Sequence, residues 1–314
     1  HEQEPAVARA QRLSPARHSS PPLVALLTRL PYIAAMQAIL ASLLLAWLAL
    51  AAFAWLMADR MIFLPPPPSY SADQPGIMFV LTEDGASVAT LHLPSPDAEF
   101  TLLFSHGNAE DLGHALPFLE LLREAGFGVI GYDYRGYGAS TGGRPTARAA
   151  SRDHAAVYRH ATETLGIPPS QIILFGRSVG SGPATELAAE LTRAAAGDPA
   201  RQPAGLILES PFTSTFVVLT RVRLLPFDRF PNLSHIREVE APVLVIHGTD
   251  DEVIPVAHGR RVYDAAPGPK QALWVEGARH NDVLSVAGAR YFQALQEFAG
   301  LVRRSDPAAP PAPY

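Results

Sequence analysis

The sequence predicts an α/β fold: a mostly parallel, doubly wound sheet with a small cap, preceded by one transmembrane helix. Three observations carry this prediction. Short continuous apolar runs at 101–104, 128–132, 171–175, 206–208, 242–246 and 271–275 alternate with helix-forming stretches, as strands covered on both faces do. One of these runs, Gln171-Ile172-Ile173-Leu174-Phe175, breaks at once into Gly176-Arg177-Ser178-Val179-Gly180. Upstream of them all, residues 33–58 are almost wholly apolar, with Gln37 and Ser42 the only clearly polar members.

Taken in order, residues 1–30 begin with a stretch rich in Pro, Ser, Ala and Arg that lacks apolar periodicity, so a disordered tail is expected. Residues 31–58 are expected to form a transmembrane anchor. At roughly 1.5 Å per residue such a helix spans a hydrocarbon core of about 30 Å. The rival readings are a buried core helix and a cleaved signal peptide. Ala52-Phe53-Ala54 resembles a cleavage site, but the run exceeds the roughly 7–15 residues of a signal-peptide apolar region. Arg9, Arg12, Arg17 and Arg29 precede the helix, whereas Arg60 stands alone after it and the next basic residue is Arg123. This asymmetry predicts a cytoplasmic N-terminus and a catalytic domain on the periplasmic or lumenal side. Residues 59–76 read as a Pro-rich linker: Met61-Ile62-Phe63-Leu64 along the membrane surface, then four prolines as a stiff spacer of about 3.1 Å per residue. The folded domain is expected over 77–304, opened by an antiparallel hairpin, 77–81 and 87–93, around the turn signal Glu83-Asp84-Gly85. A disordered tail is expected at 305–314.

The glycine-flanked Ser178 is a nucleophile elbow in outline, since a strand precedes it and a helix-forming stretch, 183–196, follows. A turn this sharp leaves no room for a Cβ on either side of the serine. In the α/β-hydrolase arrangement an acid and then a histidine follow on loops after later strands. The run 242–246 leads into His247-Gly248-Thr249-Asp250-Asp251-Glu252-Val253-Ile254-Pro255, with three adjacent carboxylates, one of which is the expected acid. The run 271–275 ends in Glu276-Gly277-Ala278-Arg279-His280-Asn281-Asp282, making His280 the natural base. Upstream, Phe104-Ser105-His106-Gly107-Asn108-Ala109 supplies a glycine turn. There the Asn108 amide is the expected partner of the Val179 amide in an oxyanion hole. Such a triad predicts activity that rises from acid pH to a plateau above an ordinary histidine pKa of about 6.5.

Together with Tyr132-Asp133-Tyr134-Arg135-Gly136-Tyr137-Gly138, these segments resemble the bud-emergence-type α/β-hydrolases, over about residues 77–301. That group includes the membrane-associated protein depalmitoylases of the α/β-hydrolase-domain group. The resemblance implies an α/β-hydrolase fold, acyl ester or thioester chemistry, and Asp251 rather than Asp250 as the triad acid. Those depalmitoylases carry an acylated N-terminal cysteine cluster. This chain has Cys 0 and an apolar helix in its place.

Other classes are disfavoured. A net charge of -5 gives no broad basic surface for nucleic acid. Without cysteine there is neither a disulfide nor a thiolate metal site, and the carboxylates lack metal-ligand spacing. The glycines at 136, 138, 142 and 143 are not in the first strand-to-helix turn, so no dinucleotide fingerprint exists and no cofactor is expected. His106 and His247 read as structural. Between residues 210 and 241, Phe212, Phe216, Val217, Leu219, Leu224, Phe227 and Phe230 form an apolar patch that either roofs an acyl pocket or simply packs the cap. The expected partners are an acyl ester or acylated lipid or protein, and the lipid bilayer. A serine peptidase of the same fold and a non-catalytic membrane-tethered scaffold are the alternatives.

Overall fold

A computed structural model describes residues 30–220, 225 and 227–305. The tails expected at 1–30 and 305–314 lie outside these residues except for Leu30 and Ser305, which belong to helices, and so do the four arginines that precede the expected anchor. His1–Trp55 and Leu56–Tyr314 form separate units. Helix α1 (Leu30–Ile62) has 33 residues, dominated by the strong helix formers Ala and Leu. Its positions 31–50 are all exposed.

The second unit carries the sheet. In chain order it contains β1 (Ile77–Leu81), β2 (Ser87–Leu93), β3 (Thr101–Ser105), α2 (Leu112–Glu124), β4 (Gly128–Tyr132), α3 (Ala147–Arg159), β5 (Ile172–Arg177), α4 (Ser181–Ala195) and β6 (Gly205–Glu209). There follow α5 (Thr215–Thr220), α6 (Asn232–His235), β7 (Val243–Gly248), α7 (Ala257–Ala265), β8 (Lys270–Val275), α8 (Val283–Ala287) and α9 (Ala289–Ser305). The eight strands lie in the order β1-β2-β4-β3-β5-β6-β7-β8. β1–β2 and β2–β4 are antiparallel and every other pair is parallel. The carboxyl ends of β3, β5, β6, β7 and β8 therefore share one edge, where the following loops converge. Alternation along each strand divides the core between the two faces. Leu102, Phe104, Ile173, Phe175, Ile207, Leu244 and Ile246 pack with α2 and α9, and the intervening Leu103, Leu174, Leu206, Val243 and Val245 are buried as well.

Two sequence readings need correction. The helix after the elbow starts at Ser181, which leaves Pro183 in its first turn, where its missing N–H costs nothing. More importantly, residues 59–76 are anchored to the fold rather than strung out as a spacer. Asp59 Oδ1 accepts from the Ala147 amide at 3.0 Å and lies 3.4 Å from Arg229 Nε. Phe63 is buried against Tyr134, Tyr137 and Phe230. The Ser69 amide and hydroxyl donate to Asp111, and Tyr70 Oη donates to Asp133. The proline run itself is mostly exposed between these attachments. Composition concealed them, because each hydrogen-bond partner lies 42 or more residues further along the chain.

Candidate active site

β5 delivers Arg177 at the sheet edge, and Ser178 follows at φ 52, a left-handed conformation that non-glycine residues seldom adopt. The flanking glycines are sterically required. A Cβ on Gly176 would sit 2.4 Å from Gly180 O, and one on Gly180 would sit 2.1 Å from Ser105 O. The resulting turn brings Ser178 Oγ to 3.0 Å from His280 Nε2, and His280 Nδ1 to 2.8 Å from Asp251 Oδ2. The side chain of Asp251 is fully buried, and that of His280 is 11% exposed. The two other carboxylates of the acidic loop make different contacts: Asp250 accepts from Thr249 Oγ1 at 3.2 Å, and Glu252 from the His280 amide at 3.3 Å.

Asp251 is held from several directions. Its Oδ1 accepts from the amides of Val253 at 3.0 Å and Ile254 at 2.7 Å, and His247 Nε2 lies 3.3 Å from its Oδ2. Burial pushes this carboxyl up, but hydrogen bonds from His247, His280 and the Ile254 amide outweigh it and hold the pKa well below the usual carboxylate range. The group is thus an anion facing the Nδ1 side of His280. His247 also contacts Ile254 O at 2.8 Å, so it shapes the acid loop.

The loop after β3 lies across the same cavity. His106 Nδ1 is 2.7 Å from Gly107 O, and the Asn108 side-chain oxygen accepts from the amides of Leu64 and Ala109 and from Tyr137 Oη. Among the described residues, neither the Asn108 nor the Val179 amide has a backbone acceptor in the loops and turns. Both residues line a cavity of about 680 Å³ together with Ser178 and His280. Asp133, beside this loop, accepts from the Leu112 amide, whereas Arg135 pairs with Asp153 at 2.6 Å and Asp84 at 2.9 Å.

The apolar patch of the cap divides between the cavity wall and packing. Phe212 lines the cavity, with Met61, Ile62, Phe118, Val218, Ile254 and Leu284 among the other apolar lining residues, whereas Phe216 and Phe227 pack on each other and Phe230 packs on Phe212 and Phe63. Leu224 and the Leu219 side chain lie outside the described residues. Sequence reasoning also missed the charged residues Arg177, Glu110 and Glu209 on the same wall. The only signal was an arginine inside the elbow itself, a position next to a packed sheet where a free cation is costly.

An eight-stranded, mostly parallel sheet whose fifth strand breaks into a serine elbow defines the α/β-hydrolase class. The comparisons agree. A family model described as serine aminopeptidase, S33, matches residues 96–224, a stretch that includes Ser178 and ends before Asp251 and His280. Human α/β hydrolase domain-containing protein 17B is 36% identical over 272 residues, covering 77% of this chain and 90% of the human protein. The Caenorhabditis elegans α/β hydrolase domain-containing protein aho-3 is 35% identical over 273 residues, 77% of each chain. Among solved structures, an esterase from Pyrococcus furiosus superposes with a TM-score of 0.59 at 18% identity over 76% of this chain and 99% of its own. Mouse α/β hydrolase domain-containing protein 10 gives 0.54 at 16% identity, covering 72% and 99%. The chain belongs to the α/β-hydrolase family, in the group of the α/β hydrolase domain-containing 17 proteins, and is a hydrolase of the serine type.

Proposed function

We propose that this hydrolase is membrane-anchored and cleaves acyl ester or thioester bonds through an acyl-enzyme formed on Ser178. The observation that carries the reading is the hydrogen-bonded line from Ser178 through His280 to Asp251, at 3.0 and 2.8 Å. His280 Nε2 takes the serine proton as Oγ attacks the acyl carbonyl, while the Asp251 carboxylate holds Nδ1–H and stabilises the imidazolium that forms. The Val179 and Asn108 amides receive the developing oxyanion. His280 then returns the proton to the leaving alcohol or thiol. A water deprotonated by the same ring next attacks the acyl-serine and frees the acid.

The apolar wall of Met61, Ile62, Phe212 and Val218 supports an acyl chain as the part of the substrate bound beside Ser178. The length of α1 and the exposure of its apolar positions support residues 31–58 as an anchor, followed by a hydrolase domain over 77–304. The run of arginines before it favours a cytoplasmic N-terminus and an extracytoplasmic catalytic domain. On that side an acylated lipid or carboxylester is nearer than a cytosolic S-acyl protein. The match to the serine aminopeptidase model keeps a second reading, peptidase action by the same three residues.

The test is fluorophosphonate labelling and turnover of p-nitrophenyl acyl esters against aminoacyl amides. Wild type is expected to label and to prefer esters. Ser178→Ala is expected to lose label and to lower turnover by roughly 10⁴ to 10⁶ with the fold intact. Near-normal turnover in that variant removes the mechanism, and preference for the amides moves the assignment to the peptidase.

A further inference from the structure

Glu110 belongs to no part of the catalytic relay, yet it is bound to both loops that would supply the oxyanion hole. Its Oε1 accepts from the Gly107 amide at 2.6 Å, and its Oε2 lies 3.9 Å from Arg177 Nη1. Arg177 directly precedes Ser178 and is itself clamped. Its Nε donates to Glu209 Oε1 at 3.0 Å, the guanidinium carbon stands 4.0 Å from the centre of the Phe118 ring, and Tyr291 Oη donates to Glu209. The register explains the clamp, because Arg177 and Glu209 are paired positions at the ends of β5 and β6. Burial would favour a neutral Arg177, but Glu209 and Glu110 raise its pKa beyond the ordinary arginine value, so it stays a cation.

Gly107 is consequently held through both of its peptide groups. His106 fixes the carbonyl of the Gly107–Asn108 peptide, and Glu110 fixes the N–H of the His106–Gly107 peptide before it. Because the peptide is planar and trans, holding Gly107 O sets the direction in which the Asn108 N–H points. A Cβ on Gly107 would meet Glu110 Oε1 at 2.8 Å, so a side chain there would push the carboxylate away from the amide it holds. We infer that Glu110 is a positioning residue that ties the oxyanion loop to the nucleophile turn through Gly107 on one side and Arg177 on the other. The inference rests on the catalytic reading of Ser178. It adds that transition-state stabilisation depends on a side-chain acceptor outside the triad.

Steady-state and inhibitor measurements on the full chain test it. Glu110→Ala is expected to lower kcat by roughly 10- to 100-fold with KM within about twofold, and to weaken a trifluoromethyl ketone inhibitor by the same factor, since both losses fall on the oxyanion. Glu110→Gln, which retains an acceptor for Gly107, is expected to recover most of the rate. Glu110→Asp keeps the charge but withdraws the carboxylate by one methylene. It should show the same kcat-selective loss, and it serves if the alanine variant does not fold. Unchanged kcat in the Ala or Asp variant, a rise in KM alone, or equal impairment by Ala and Gln overturns the inference. Ser178→Ala run in parallel separates the two failures. If it retains turnover, the catalytic reading has gone; if it is inactive while the Glu110 variants are unaffected, only the positioning role has gone.

Discussion

His154 places a titratable ring in the middle of the core, fully buried and stacked on Tyr132 at a 12° interplanar angle. Burial pulls its pKa from 6.5 down to about 4, against a smaller opposing pull from the Pro183 backbone. The folded protein therefore binds this proton less readily than the unfolded chain does. Stability from neutral His154 is complete above about pH 6.5 and is lost as pH falls toward about 4, a difference on the order of 3 kcal/mol. His154→Phe, which keeps a flat ring, is expected to flatten the fall in Tm between pH 6.5 and 4. Parallel curves for the variant and wild type would refute this account. Asp251 has the opposite consequence for function: held below the usual carboxylate range, it stays an anion across the same interval and keeps facing His280.

At the scale of elements, the end of α1 does more than connect. Ile62 is buried, Met61 is 55% exposed, and both line the cavity that holds Ser178. Asp59 and Phe63 lock this turn to the start of α3 and to the Tyr134–Tyr137 cluster. Met61 is half in solvent, so Met61→Ser costs little stability but removes apolar surface from the wall proposed to hold the acyl chain. The expected result is a several-fold loss of kcat/KM for p-nitrophenyl esters of long acyl chains with acetate and butyrate unchanged. An equal loss at every chain length would show that Met61 shapes the site rather than the acyl wall. The strands at 101–105, 128–132 and 243–248 were readable to within one or two residues, because a strand buried on both faces declares itself as a continuous apolar run. The attachment of residues 59–70 was not, because Met61 to Leu64 continue the apolar character of the helix before them and their partners come from distant segments.

For the whole molecule, the division at Trp55/Leu56 predicts two different truncations. Removing residues 1–55 is expected to release the hydrolase from the membrane fraction while hydrolysis of a short soluble ester continues at near wild-type rate. Removing residues 1–64 takes away Asp59, Ile62, Phe63 and the Leu64 amide that donates to Asn108 at 2.8 Å, so activity is expected to fall even on that ester. Fractionation combined with p-nitrophenyl butyrate turnover checks both. Equal activity in the two truncations would mean that the last helical turn is dispensable to the site.

What the amino-acid order determined alone is the class: a strand-to-helix turn that tolerates only glycine around Ser178, and later strands followed by an acidic loop and by His280. These are local demands of backbone geometry and apolar patterning, so they are written where they act. The tertiary structure decided what depends on register and on contacts between remote segments. Arg177 meets Glu209 only because β5 and β6 align, Glu110 reaches the Gly107 amide only as its loop folds back, and the helix end enters the cavity wall through Asp59 and Phe63. Such contacts leave no periodic trace along the chain, because the groups that make them are brought together by packing and not by spacing.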